Sequence, residues 1–205
     1  MQKSLDWCQG SPEYPGIRRR LYFIAKTAIA EWPQLPQTMG RPTSAVYMDS
    51  FVLKADQFWH YIDVLPDKCQ VTSEAQGELP SQTQLNKLTA VHPGVDYVAT
   101  EAAAFINNAD NVFVVEDMKG MFRVIGSELW MTKTTVTQDL GQGATGTAAT
   151  TINAEATDVV PAPFYFGKIE LEDGTEVYPS GLATSEPRDP DMATENTDPA
   201  ESMLP

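Results

Sequence analysis

Apolar and polar positions alternate with a period near two along most of this chain, and the alternation predicts strands. Arg18-Arg-Arg-Leu-Tyr-Phe-Ile24 is the first, punctuated by Trp32-Pro-Gln-Leu-Pro36, because proline cannot donate to a ladder. Val46–Leu53 and Phe58–Leu65 follow, the second stopped by Pro66-Asp67. Asn111–Glu116 and Met121–Ile125 flank Asp117-Met-Lys-Gly120 and predict a hairpin. Leu129–Gln138 and Thr147–Val160 surround a glycine-rich turn, and Phe164–Leu171 meets Thr175–Tyr178 through Glu172-Asp-Gly174. The period changes only between Val95 and Ile106. There Val95, Val98, Ala99, Ala102, Phe105 and Ile106 recur at helical spacing, predicting one amphipathic helix that packs on a sheet through Val98, Ala102 and Phe105. Gly94 and Asp96 suit its start and Asn107-Asn108 its end. The expected fold is mainly β: a sandwich or barrel with one flanking helix.

One stretch breaks this rhythm. Val71 to Gly94 begins as a strand, becomes long and polar with glycine and proline marks, and returns through Gln84–Val91. A polar excursion of this length within a β domain is a functional loop or a disordered one. Its mixture of small polar and apolar residues predicts a long hairpin, a ribbon that orders against a neighbour. The domain is expected over 17–179, after a Pro/Gly-rich leader at 1–16. From Ser180 to Pro205 acids interleave with prolines and large apolar residues are few, so 180–205 reads as a disordered acidic tail.

Composition narrows the function. The net charge is −14 over 205 residues, the opposite of the basic face a nucleic-acid-binding domain needs. Two cysteines are too few for a disulfide framework. Cys8 and Cys69 read as free thiols in a reducing compartment, with a single bridge between them as the other possibility. The first residues hold no apolar signal core and no run is long enough to span a bilayer, so the chain is expected in the cytoplasm or released by lysis.

The candidate chemistry is thin. Gly141-Gln-Gly-Ala-Thr-Gly146 matches a dinucleotide-binding string, yet Thr147-Ala-Ala-Thr-Thr-Ile152 after it favours a strand over the required helix. It reads as a turn. His60 and His92 are not spaced with the cysteines as metal ligands are, and Asp117 and Asp173 sit in turns that use aspartate for backbone geometry. No catalytic, cofactor or metal residue is assigned. Arg18, Arg19 and Arg20 form the one basic cluster and read as an edge device or as partners for another subunit's acids.

Several segments, taken in order, resemble a group of tail-tube (major tail) proteins encoded by phages and prophages of Bacteroidetes. They are Pro15-Gly-Ile-Arg-Arg-Arg-Leu-Tyr-Phe-Ile24 with Trp32-Pro-Gln-Leu-Pro36, then Thr72-Ser-Glu-Ala-Gln-Gly-Glu78 with Leu85-Asn-Lys87 and His92-Pro-Gly94. Phe122-Arg-Val-Ile-Gly126, Asp139-Leu-Gly-Gln-Gly143, Glu155-Ala-Thr-Asp158 and Pro161-Ala-Pro-Phe164 follow. The resemblance implies a long hairpin that joins neighbours in a hexameric ring, with rings stacked into the channel for DNA ejection. The implied partners are further copies of the chain and the tape-measure, baseplate and tail terminator proteins. The implied place is the virion tail, assembled in the host cytoplasm, with no membrane. DNA would pass without specific binding, and the net charge suggests an acidic channel wall.

Residues expected at contacts between subunits are Ser73, Glu74, Gln76, Gly77, Glu78, Ser81, Gln84, Asn86 and Lys87, with Arg18 and Arg20. Other readings are a different virion part (tail terminator, baseplate hub or capsid decoration) or a β-sandwich binding module. An enzyme is the weakest reading.

Overall fold

Two apolar runs, Leu21–Ile24 and Val112–Val115, lie side by side and are buried on both faces, which is why they read as near-continuous hydrophobic stretches. The computed structural model describes residues 4, 5, 8–38 and 41–181. Its strands in chain order begin with β1 (Ile17–Ala25), β2 (Ile29–Glu31), β3 (Gln37–Thr38), β4 (Arg41–Pro42), β5 (Val46–Tyr47), β6 (Val52–Leu53) and β7 (His60–Asp63). The middle of the chain forms β8 (Gln70–Gln76), β9 (Thr83–Pro93), the helix α1 (Tyr97–Asn107), β10 (Asn111–Asp117) and β11 (Phe122–Ile125). Then come β12 (Lys133–Asp139), β13 (Ala149–Asp158), β14 (Phe164–Tyr165), β15 (Ile169–Glu170) and β16 (Glu176–Val177).

These strands make a β-sandwich with one flanking helix. A six-stranded sheet runs β5-β14-β11-β10-β1-β7, and a four-stranded sheet runs β12-β13-β9-β8. Between them lie Leu21, Phe113, Val115 and Ile125 from the first sheet and Leu88, Ala90, Ile152, Ala154 and Ala156 from the second. The other face of the six-stranded sheet carries Tyr22, Val112, Val114, Phe122, Val124 and Tyr165. It is roofed by loops and short strands holding an aromatic cluster. Phe51 sits at its centre, with ring centroids 4.9 Å from Trp32, 5.2 Å from Tyr165 and 5.5 Å from Trp59.

Three expectations change. Val46–Leu53 is not one strand, because its middle turns inward to bury Phe51, whose N–H donates to the Tyr165 hydroxyl at 3.3 Å. The arginine-bearing β1 is not an edge strand: it lies inside the six-stranded sheet between β10 and β7. The helix is turned relative to the predicted face. Ala103 and Ile106 are buried, whereas Val98 is 54% and Phe105 70% exposed. Alanines line the inner side because α1 lies close against β12, where the Val136 N–H donates to Asn107 Oδ1 at 2.7 Å. Asp96 starts the helix by accepting from the Ala99 N–H, as its position predicted.

The Gly141–Gly146 string lies in the turn joining β12 to β13, with no helix after it. Asp117 and Asp173 hold turns by accepting from the Met121 and Thr175 N–H groups. Cys8 and Cys69 are both free. The expected tail lies outside the described residues from position 182 onward. Among the described residues no helix is long and apolar enough to cross a membrane, and no group of three His, Cys, Asp or Glu could hold a metal ion.

Candidate functional site

The polar excursion folds as a ribbon. β8 and β9 pair without a break from Gln70↔Thr89 to Gln76↔Thr83, leaving only residues 77–82 as the connecting loop. Gly77, at φ +84°, opens that loop, a conformation an L side chain resists. Glu78 and Ser81 are exposed in it, and the Ser81 N–H donates to Glu78 O. Nine of the eleven expected contact residues therefore share one hairpin. Arg18 and Arg20 do not join them: they lie on the other sheet, paired with Glu116 at 3.1 Å and Asp63 at 3.5 Å. Arg20 also lies over the Tyr61 ring at 4.5 Å.

Within the hairpin the residues divide by face. Lys87 Nζ meets Glu74 Oε2 at 2.8 Å, and Gln76 Nε2 donates to Thr157 Oγ1. Asn86 is a correction. It is fully buried, takes a hydrogen bond from the Ser73 hydroxyl and one from the Ala162 N–H, and donates to Val160 O. Its amide ties the ribbon to the loop before β14 and presents nothing to a neighbour. Gln84 is half-buried.

The outward face of the four-stranded sheet is mostly polar, with Leu85 and Val91 of β9 the apolar residues among its central rows. Register places Gln70, Thr89, Asn153 and Thr135 in one row across all four strands, and Thr72, Lys87, Glu155 and Lys133 in the next. Charges on it nearly cancel: Glu74, Glu155 and Asp139 against Lys87 and Lys133. β8 is the sheet's outer strand. It carries no proline, no lysine and no bulge, three of the devices by which proteins blunt an edge, and its one charge, Glu74, is paired with Lys87 of β9.

Where β8 parts from the six-stranded sheet, a cleft of about 790 Å³ opens. Val71, Val115, Met121, Phe164 and Phe166 line it, with leader residues 13–16 and Ile17 of β1 along one rim. Arg123 projects into it. Its guanidinium lies 3.6 Å over the Phe164 ring, donates to Ala162 O and stands 3.8 Å from Asp117. Burial lowers its pKa against the opposing pull of Asp117. Cys69 also lines the cleft, but its thiol donates to Leu65 O at 3.0 Å, and burial pushes its pKa up, disfavouring the reactive thiolate.

Arg123 and Asp158 lie in segments that carry the resemblance, but sequence reasoning assigns neither a role of its own. Asp158 ends β13 and is 3% exposed; Oδ1 accepts from the Val159 N–H at 2.6 Å and Oδ2 has no hydrogen-bond partner among the described residues. Burial raises its pKa to about 6. Strand alternation held both signals, since Arg123 shares a face with Ile125 and Asp158 shares one with Ala156. No protein-family model, no curated protein and no solved structure matches this chain.

Proposed function

We propose that this chain is a structural self-assembly subunit, a phage tail-tube protein whose copies form rings that stack around a channel for DNA ejection. The observation that carries this reading is the undefended outer strand β8 on a sheet with one buried face and one broad polar face. Seven residues of edge whose one charge is already neutralised by Lys87 are a template for another chain, and a monomer gains nothing by keeping them. Sheets continued from copy to copy through such edges would close into a wall with the Thr/Asn/Gln surface on one side.

If that surface lines the channel, the expectation of a strongly acidic wall must be revised. Its described charges are almost balanced, so phosphate would slide past hydroxyls and amides that offer no cation cluster to hold it. The acid excess resides elsewhere on the chain, notably in Glu186, Asp189, Asp191, Glu195, Asp198 and Glu201. Six copies per ring and contacts with tape-measure, baseplate and tail terminator proteins belong to the same reading.

The test is electron microscopy and sedimentation velocity of the purified full-length chain over a wide concentration range. Rings or tubes are expected. A species that stays monomeric at every concentration would sink the reading, and single rings that never stack would favour a terminator or decoration role.

A further inference from the structure

We propose that copies of this chain join head to tail, with the outer stripe of α1 from one copy seated in the cleft between the two sheets of the next. The inference rests on the self-assembly reading and gives it a specific contact.

The projecting half is the stripe Val98, Glu101 and Phe105. These residues are spaced by three and four positions, so they share one helix face. All three are exposed, and Tyr97 beside them is 83% exposed. An exposed phenylalanine in the last turns of a short helix contributes nothing to the chain's own core. Glu101 is the one charged residue in α1, so the stripe is apolar at both ends and negative in the middle.

The receiving half is the cleft. Its apolar walls face water in the isolated chain, and its cation, Arg123, is half-buried over the Phe164 ring, donates to Ala162 O and stands 3.8 Å from Asp117, a separation that leaves room for a closer carboxylate. Filling such a space with an aromatic ring removes apolar surface from water. A carboxylate entering beside a partly desolvated guanidinium gains a charge-assisted hydrogen bond. Lys119 at the mouth adds a second cation, one already paired with Glu13.

Placement decides the symmetry. α1 is bonded to β12 through Asn107 and Thr100, while the cleft is lined by Gln70, Val71 and Ser73 of β8. β12 and β8 are the opposite edges of one sheet. Copies set edge to edge in the same sense bring the stripe of one to the cleft of the next. A two-fold pairing through α1 would instead place Glu101 against Glu101 and leave both clefts empty. The contact is therefore heterologous, the kind that generates closed rings or open filaments. The other occupant to consider is the chain's own segment from 182 onward, because Gly181 is fixed on the Gly120 turn beside Lys119 and Met121.

Two full-length variants test this. Phe105→Asp spoils the stripe and leaves the cleft intact; Ser73→Trp blocks the cleft rim and leaves the stripe intact. Phe105 is exposed, so circular dichroism and melting of its variant should match the parent chain; Ser73→Trp also removes the hydroxyl that donates to Asn86, so Lys119→Glu at the mouth replaces it if its melting falls below the parent's. Each variant alone should sediment as a monomer where the parent assembles. Mixed in equal amounts, they should form a one-to-one dimer and nothing larger, since only one good stripe and one good cleft can meet. A mixture that stays monomeric, or either variant assembling alone, overturns the inference while leaving the assembly reading standing. A parent chain that never assembles removes the assembly reading itself. Synthetic peptide 182–205 should leave assemblies intact; if it dissolves them, the cleft belongs to the tail and the inference is wrong.

Discussion

The two sheets of this molecule share one core and differ in everything else they do. The six-stranded sheet is covered on both faces: Val112, Phe113, Val114 and Val115 in succession are fully buried. The four-stranded sheet is covered on one, and along β13 buried and accessible residues alternate through the whole strand. The first arrangement maximises apolar burial and offers one wall of the cleft. The second gives up half its burial and gains a polar face, a free edge and the other wall of the cleft. Stability should therefore concentrate in the first sheet and assembly in the second.

The sharpest way to break that division is to remove volume from the doubly covered sheet. Phe113 is fully buried and packs between the sheets near Phe23, with ring centroids 6.3 Å apart. Phe113→Ala should cost about 3–5 kcal/mol, the usual range for deleting a buried aromatic. Chemical denaturation of the unassembled chain measures it, and Thr151→Ala on the polar face is the control, expected within about 0.5 kcal/mol of the parent. Similar losses at both positions would show that the sheets do not divide the work.

A smaller effect tests the place where the second sheet runs into the roof of the first. Asp158 ends β13 inside the protein, with one oxygen unpartnered and a pKa raised to about 6 from the ordinary 3.8. The folded state thus binds this proton more tightly than the unfolded chain does. Stability from this group is fullest below pH 4, declines as pH rises through that window and is gone above about pH 6. Asp158→Asn should flatten the pH dependence between 4 and 7. At pH 7.5 it should stabilise the chain by about 1–3 kcal/mol, on the scale of 1.36 kcal/mol per pKa unit. Melting curves across that pH range decide it; a variant less stable than the parent at pH 7.5 would mean that the ionised carboxylate has a partner there.

How far the sequence could be read follows from the same contrast. β10 and β11 were legible because burial on both faces leaves long apolar runs, and the turns at Asp117 and Asp173 because aspartate and glycine carry local geometry. The hairpin was legible as a ribbon but not as one with so short a loop, since pairing from Gln70 to Gln76 uses polar residues with no apolar signature. Asn86 was placed at an outer contact, and Arg123 and Asp158 were given no role, because side-chain polarity suggests exposure, whereas position in the alternation turns each inward. The cleft could not be read at all, because it depends on where β8 separates from a sheet formed by distant parts of the chain.

The helix shows the difference most directly. Its apolar residues exceed what one buried face can take, and spacing alone assigns Phe105 to the core. Close approach to β12 favours short side chains, so Ala99, Ala102 and Ala103 turn inward with Ile106, and Phe105 is left 70% exposed. Phe105→Ala in the unassembled chain should consequently change stability by less than about 1 kcal/mol, far below the cost at Phe113. The same substitution should weaken assembly, because truncating a central aromatic anchor removes the kind of group that dominates interface energetics. Denaturation of the monomer and sedimentation of the assembled form, run on one preparation, separate the two effects. A loss of several kcal/mol in the monomer would return Phe105 to the core. An unchanged monomer with unchanged assembly would leave the exposed ring without a role, and with it the division of labour between the sheets would lose its clearest marker.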